Sequence, residues 1–213
     1  MTARFARYGA GALLVHLLAA APASAGPLIW ALGDSLTAGF GLPPDQGFTA
    51  QLQAELKREG VDATVRNGGV SGDTTRQGLA RLRWGLRGLG RAPDLVLVEL
   101  GANDMLRGLP PEQAEANLSA IVAELKARRL RALLAGMRAA PNLGPDYRAR
   151  FDAIYPRLAK KYGVALYPFF YDGVTGRREL IQADGLHPNA RGVAAIAGRL
   201  APVLRHALSA RVF

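Results

Sequence analysis

From Leu28 onward short apolar runs alternate with longer amphipathic stretches. Leu28-Ile29-Trp30-Ala31-Leu32 is an unbroken apolar run of strand length and predicts a buried strand, followed by a Gly/Pro-rich loop to about Gly47. Residues 48–59 place Leu52 and Leu56, and Ala50 and Ala54, on neighbouring helical faces, with Gly60 just beyond as a stop signal. Residues 63–66 then predict a second strand, 75–89 a helix, and 94–100 a third strand. The third strand's centre, Leu95-Val96-Leu97-Val98, is apolar on both faces, as the middle of a parallel sheet requires. A helix over 111–128, a strand over 130–135, a helix over 147–162, a strand over 164–167 and a last helix over 190–210 complete the pattern. Strands alternating with helices imply crossover connections and a five-stranded parallel sheet covered on both sides, a three-layer α/β/α domain. The stretch 137–145 is the expected mobile loop. In such sheets ligands gather at the carboxyl ends of the strands.

Composition narrows this picture. The 213 residues are 49% hydrophobic and 21% charged, which fits one globular domain and excludes disordered, collagen-like and coiled-coil classes. There is no cysteine, so thiol catalysis and Cys-based metal centres are excluded. The formal charge is +10, but the arginines are scattered singly, which reads as solvated surface rather than a nucleic-acid footprint. The first 25 residues stand apart: Arg4 and Arg7, an apolar run over 10–21, then Ala23-Ser24-Ala25. A basic start, a short apolar core and Ala-x-Ala predict a secretory signal peptide cleaved after Ala25, leaving residues 26–213 as the mature domain. The apolar run is too short for a stable membrane span, and export without cysteines fits a bacterial periplasm.

Histidine is scarce: only His16, His187 and His206 occur, and His16 lies in the leader. Directly after the first strand comes Gly33-Asp34-Ser35-Leu36, a serine at the sheet's carboxyl edge, where a nucleophile would stand. Taken alone, Asp34-Ser35 is equally a helix N-cap pair. A serine nucleophile needs a base, and histidine is the suitable one. His187 sits in Asp184-Gly185-Leu186-His187-Pro188-Asn189, where Asp184 can orient its ring, whereas His206 lies in a polar-tailed terminal helix. Two further polar clusters follow predicted strands: 67–74, containing Gly72, and Gly101-Ala102-Asn103-Asp104. Each alone reads as a helix-starting turn. Together they offer a Gly backbone N–H and an Asn amide, donors suited to a tetrahedral oxyanion. Asp34, Asp73 and Asp104 are expected to hold these loops by hydrogen bonds.

The joint occurrence of these motifs, in order, resembles the SGNH (GDSL-type) hydrolases. Ser35, Gly72, Asn103 and His187 match the four letters, and the likeness extends over Ser-Gly-Asp-Thr, Val-Glu-Leu-Gly-Ala-Asn-Asp and Asp-Gly-Leu-His-Pro-Asn, essentially residues 28–205. Gln77-Gly78-Leu79-Ala80-Arg81-Leu82 and Ala153-Ile154-Tyr155-Pro156 are similar to the branch of bacterial periplasmic thioesterases, lysophospholipases and arylesterases. The resemblance implies a flavodoxin-like sheet, a Ser35-His187-Asp184 triad and an acyl-enzyme. It also implies oxyanion donors from Ser35 N–H, Gly72 N–H and the Asn103 amide, and needs no metal or other cofactor. Implied substrates are small acyl esters, acyl thioesters such as acyl-CoA, aryl esters and lysophospholipids, handled by a monomer.

An acyl chain would need an apolar groove, for which Phe40, Leu42, Met105, Leu106 and Leu109 are candidates, although each also suits ordinary packing. The Ala-, Pro- and Gly-rich loop over 137–147 departs from the family pattern where relatives place acyl-chain contacts. On the same residues, a deacetylase or acyltransferase acting on cell-envelope carbohydrate is the alternative, and an exported binding protein with an inert triad is a third reading. Nucleotide binding is excluded by pattern: there is no phosphate-binding Gly-Lys-Ser/Thr loop, and Pro43-Pro44 breaks the glycine run near residue 40. The Gly-x-Ser-x-Gly elbow of ordinary α/β-hydrolases is also absent.

Overall fold

The computed structural model describes residues 26–210. The expected leader lies outside the described residues. Five strands, β1 (Leu28–Gly33), β2 (Thr64–Gly69), β3 (Leu95–Glu99), β4 (Arg131–Ala135) and β5 (Ala165–Tyr167), form one sheet in the order β2-β1-β3-β4-β5. Every pairing is parallel. β1 and β3 are buried along their whole length, because interior strands of a covered parallel sheet see no solvent on either face. β2, at one edge, alternates instead, with Val65 inward between exposed Thr64 and Arg66.

Among the described residues eight α-helices flank the sheet: α1 (Ser35–Ala38), α2 (Phe48–Arg58), α3 (Thr75–Arg87), α4 (Ala102–Leu106), α5 (Pro111–Ala127), α6 (Pro145–Asp152), α7 (Ile154–Tyr162) and α8 (Ala190–Ser209). α2 packs with α8 on one face of the sheet, and α3, α5 and α7 pack side by side on the other, giving the three layers. Bidentate pairing of Arg157 with Glu115, and of Arg83 with Glu124, ties the second layer together at its surface. Among the described residues no helix is long and apolar enough to cross a membrane.

Three departures from the sequence reading have clear causes. The helix expected over 147–162 is two helices, α6 and α7, that meet at Ala153. Pro156 has no N–H to give to the carbonyl four residues back, so a continuous helix loses its bond at that junction. β2 runs on through Asn67-Gly68-Gly69, which composition assigns to a loop, because β1 offers a ladder out to the pair Gly33↔Gly69. The stretch expected to be mobile is largely tied down: Met137 and Ala139 are buried, Ala139 N–H donates to Asp152 Oδ1 at 2.7 Å, and Pro145 already begins α6.

The chain moves from β1 outward to β2 and then back across to β3 on the other side. The loops after β1 and β3 therefore diverge, and the crevice between them is where open α/β sheets bind ligands. Ser35 stands two residues past the end of β1 and Asn103 four residues past the end of β3.

Candidate active site

Each polar segment found in the sequence arrives at this crevice on its own structural support. Asp34 is the N-cap of α1, its side chain accepting from Leu36 N–H at 3.0 Å, so Ser35 is the first residue of a helix that starts as β1 ends. Gly72 has φ +85, a left-handed turn that a side chain would strain. Asn103 lies in the first turn of α4, directly after β3. His187 is carried by a loop pinned at several points. Ile181 bridges Pro188, Gln182 N–H donates to the His187 carbonyl at 2.8 Å, and Gln182 Nε2 donates to the carbonyls of Phe40 and Pro188. Asn189 then caps α8 by accepting from Arg191 and Gly192 N–H.

The result is a continuous hydrogen-bonded chain. His187 Nε2 lies 2.9 Å from Ser35 Oγ, and His187 Nδ1 lies 2.7 Å from Asp184 Oδ2. The other carboxylate oxygen, Asp184 Oδ1, accepts from Leu186 and His187 N–H at 2.9 and 3.0 Å. The Leu186 backbone donor, followed by the His187 side chain, pulls the Asp184 carboxyl down to about 2, so it is ionised at neutral pH. The Phe40 ring lies 4.5 Å, centroid to centroid, from the imidazole and covers it. Neither Ser35 N–H nor Gly72 N–H is bonded within the described protein. The Asn103 amide is different, because Nδ2 donates at 3.0 Å both to Asp34 Oδ2 and to the Asp73 carbonyl.

The three aspartates do hold loops. Asp104 accepts from Thr75 N–H and Oγ1, and Asp73 pairs with Arg81, whose Nη2 also reaches the Gly33 carbonyl. Asp34 is fully buried, and burial pushes its carboxyl up to about 6, opposed by the donors Leu36 N–H and Asn103 and by the nearby His187. Beneath it lies a carboxyl absent from the predicted site, Glu99, also fully buried and pushed well above the ordinary range by burial first and then by the charge of Asp34.

A cleft of about 210 Å³ opens over Ser35 and His187, walled by Gly72, Asn103, Tyr171 and Leu186. Of the proposed groove residues, Phe40 and Leu106 line it. Leu42 lines a smaller adjoining recess that shares Ser35, Phe40 and His187. Met105 packs against the core, and the Leu109 carbonyl accepts from Tyr147 Oη, so neither lines the cleft. Tyr171 and Leu186 were missed by sequence reasoning. Tyr171 follows the last strand in the aromatic run Tyr167-Pro168-Phe169-Phe170-Tyr171, and its hydroxyl donates to the Leu186 carbonyl at 3.0 Å, fixing the loop beside His187. Phe40, Leu106 and Leu186, three of the five exposed large hydrophobic residues among those described, line this opening.

Residues 31–195 match the GDSL-like Lipase/Acylhydrolase family. The chain is 42% identical over 176 residues to an arylesterase of Vibrio mimicus, covering 83% of this chain and 87% of that protein. It is 39% identical over 188 residues to thioesterase 1/protease 1/lysophospholipase L1 of Escherichia coli K12, covering 86% and 88% respectively. Among solved structures, AlinE4, an esterase of the SGNH-hydrolase family, superposes with a TM-score of 0.74 at 47% identity, covering 87% of this chain and 98% of that one.

Proposed function

Because the chain belongs to the GDSL-like lipase/acylhydrolase family and so is a hydrolase of esters and thioesters, we propose that it cleaves acyl esters and acyl thioesters through an acyl-enzyme on Ser35. Its substrates are aryl esters, acyl-CoA thioesters and lysophospholipids. The observation that carries this reading is the unbroken chain Asp184–His187–Ser35 opening into a cleft beside two unbonded backbone N–H groups. Ser35 Oγ attacks the acyl carbonyl carbon as its proton passes to His187 Nε2, and Asp184 stabilises the imidazolium. The carbonyl oxygen, now an oxyanion, is held by Ser35 N–H, Gly72 N–H and the Asn103 amide. As the tetrahedral centre collapses, His187 returns the proton to the departing thiol or alcohol. Water then attacks the acyl-enzyme with His187 again as base, releasing the carboxylic acid and restoring Ser35 Oγ–H.

The apolar residues around the opening favour acyl chains over the carbohydrate acceptors of a deacetylase, as do relatives named esterase and thioesterase. The chain is exported to the periplasm after cleavage behind Ala25 and acts there as a monomer. The test is a panel of p-nitrophenyl esters from acetate to palmitate with palmitoyl-CoA and a lysophospholipid, run on wild type and Ser35→Ala. Turnover across acyl chains that falls by at least about 10³-fold in the variant is the expected result. Turnover of acetylated sugar alone, or full activity in Ser35→Ala, would overturn it.

A further inference from the structure

Directly under Ser35 two carboxyl groups are buried together. Glu99 is the last residue of β3 and pairs across the sheet with Gly33, and its side chain runs beneath the turn that presents Ser35. Its Oε2 accepts from Thr37 Oγ1 at 2.7 Å and faces Asp34 N–H at 3.4 Å, so one oxygen grips the turn on both sides of Ser35. Thr37 is itself fully buried. A Cβ added to Gly33 would collide with both Glu99 Oε2 and Thr37 Oγ1, so only glycine lets the carboxyl lie this close to β1.

Among the described residues no cation pairs with this group. The nearest charged and titratable groups are Asp34 and, around it, Asp73 paired with Arg81, Asp104 bonded to Thr75, the phenols of Tyr155 and Tyr171, and His187. Among the described residues Glu99 forms no ion pair, and its Oε1 has no hydrogen-bond donor. An ionised carboxylate here would bury an unmatched charge beside a second carboxylate. A proton on Oε1 removes that charge and leaves Oε2 as the acceptor the turn uses.

Resting on the serine-esterase reading above, we propose that Glu99 is a positioning residue for Ser35: a neutral buried acid whose Oε2 clamps Asp34 N–H and the Thr37 hydroxyl. Its neutrality also serves the chemistry. A second negative charge beneath the turn would oppose the oxyanion that forms above it.

Wild type, Glu99→Ala and Glu99→Gln separate this from a merely structural role, with kcat and KM measured on p-nitrophenyl butyrate from pH 5 to 10 and thermal unfolding followed over the same range. Glu99→Ala is expected to lose roughly 10²-fold in kcat with KM changed less than about threefold, as a misplaced reacting group does. Glu99→Gln keeps an acceptor without a charge, and it is expected to recover most of kcat at neutral pH. The melting temperature of wild type is expected to fall with pH relative to Glu99→Gln, because folding that holds a proton on Glu99 weakens as protons become scarce. A folded Glu99→Ala with wild-type kcat would overturn the proposal. So would a Glu99→Gln as impaired as the alanine variant, or one whose melting temperature follows pH in parallel with that of wild type. If wild type itself turns over no ester, the esterase reading fails, and the melting curves alone then decide whether Glu99 is neutral.

Discussion

Asn103→Ala tests how the oxyanion is held. Deleting one donor of an oxyanion hole typically costs about 10²- to 10³-fold in kcat. A smaller loss is expected here. An amide nitrogen has two hydrogens, and Asn103 already directs Nδ2 at Asp34 Oδ2 and at the Asp73 carbonyl, both at 3.0 Å. Its bond to the oxyanion must be shared with one of those acceptors, whereas Ser35 and Gly72 offer unbonded N–H groups. A shared bond contributes roughly what a typical net hydrogen bond does, about 1 kcal/mol, or about five- to tenfold in kcat. The substitution also removes a donor that favours ionised Asp34, whose carboxyl stands at about 6, so Asp34 takes up a proton at higher pH in the variant. The assay is kcat and KM on p-nitrophenyl butyrate from pH 5 to 9 for both proteins. A loss of about 10³-fold would show the amide to be a full donor and refute the sharing argument. An unchanged kcat with an unmoved acid side of the profile would refute any role for Asn103.

Other outcomes follow from single contacts. Leu106→Ala, at a half-exposed position on the cleft wall, is expected to lower kcat/KM on octanoate by about fivefold, near the burial of one or two methylenes, and on acetate by less than about twofold. An equal loss on both esters would remove Leu106 from the acyl path. Tyr155→Phe strips the hydroxyl that donates to the Leu100 carbonyl at 2.9 Å in a site only 1% exposed, leaving a buried acceptor unmet. Its expected cost is about 1–3 kcal/mol in urea unfolding, and an unchanged midpoint would contradict that. Asp34 gives a pH-dependent stability: its carboxyl is raised from 3.8 to about 6 in the folded protein, so its contribution is full below about pH 3.8 and is lost as pH rises through about 6. Two units correspond to about 3 kcal/mol, so Asp34→Asn is expected to gain on wild type by up to that amount between about pH 3 and 7. Parallel stability curves for the two proteins would disprove it.

The layers of the fold were legible because the sheet's interior strands leave no choice of partner. A run such as Leu95-Val96-Leu97-Val98, buried on both faces, can sit only in the middle of a covered parallel sheet, and it does so between β1 and β4. Ser35, Asn103 and His187 were legible for a related reason. Each lies within a few residues of an element end that periodicity marks, and topology brings those ends to one edge. Where local composition and long-range pairing disagreed, composition misled. Asn67-Gly68-Gly69 has turn chemistry, yet the ladder offered by β1 extends β2 through it. The helix over 147–162 has a continuous apolar period, yet one missing N–H at Pro156 divides it.

Glu99 shows why part of the site escaped a linear reading. An acidic residue closing an apolar strand reads as the point where the chain meets water, since carboxylates are seldom fully buried. What reverses that reading is three-dimensional: Gly33, its cross-strand partner, leaves room for the carboxyl, and Thr37, two residues past Ser35, supplies its donor. Neither residue signals the other along the sequence, because Gly33 and Thr37 stand more than sixty positions from Glu99. Tyr171 escaped for the same reason, as its hydroxyl acts on a loop fifteen residues away through the Leu186 carbonyl. The candidate-site residues cluster in short motifs because they must end on one edge of the sheet. Residues that hold those motifs in place are chosen by the space beneath them, and that space exists only once the strands have paired.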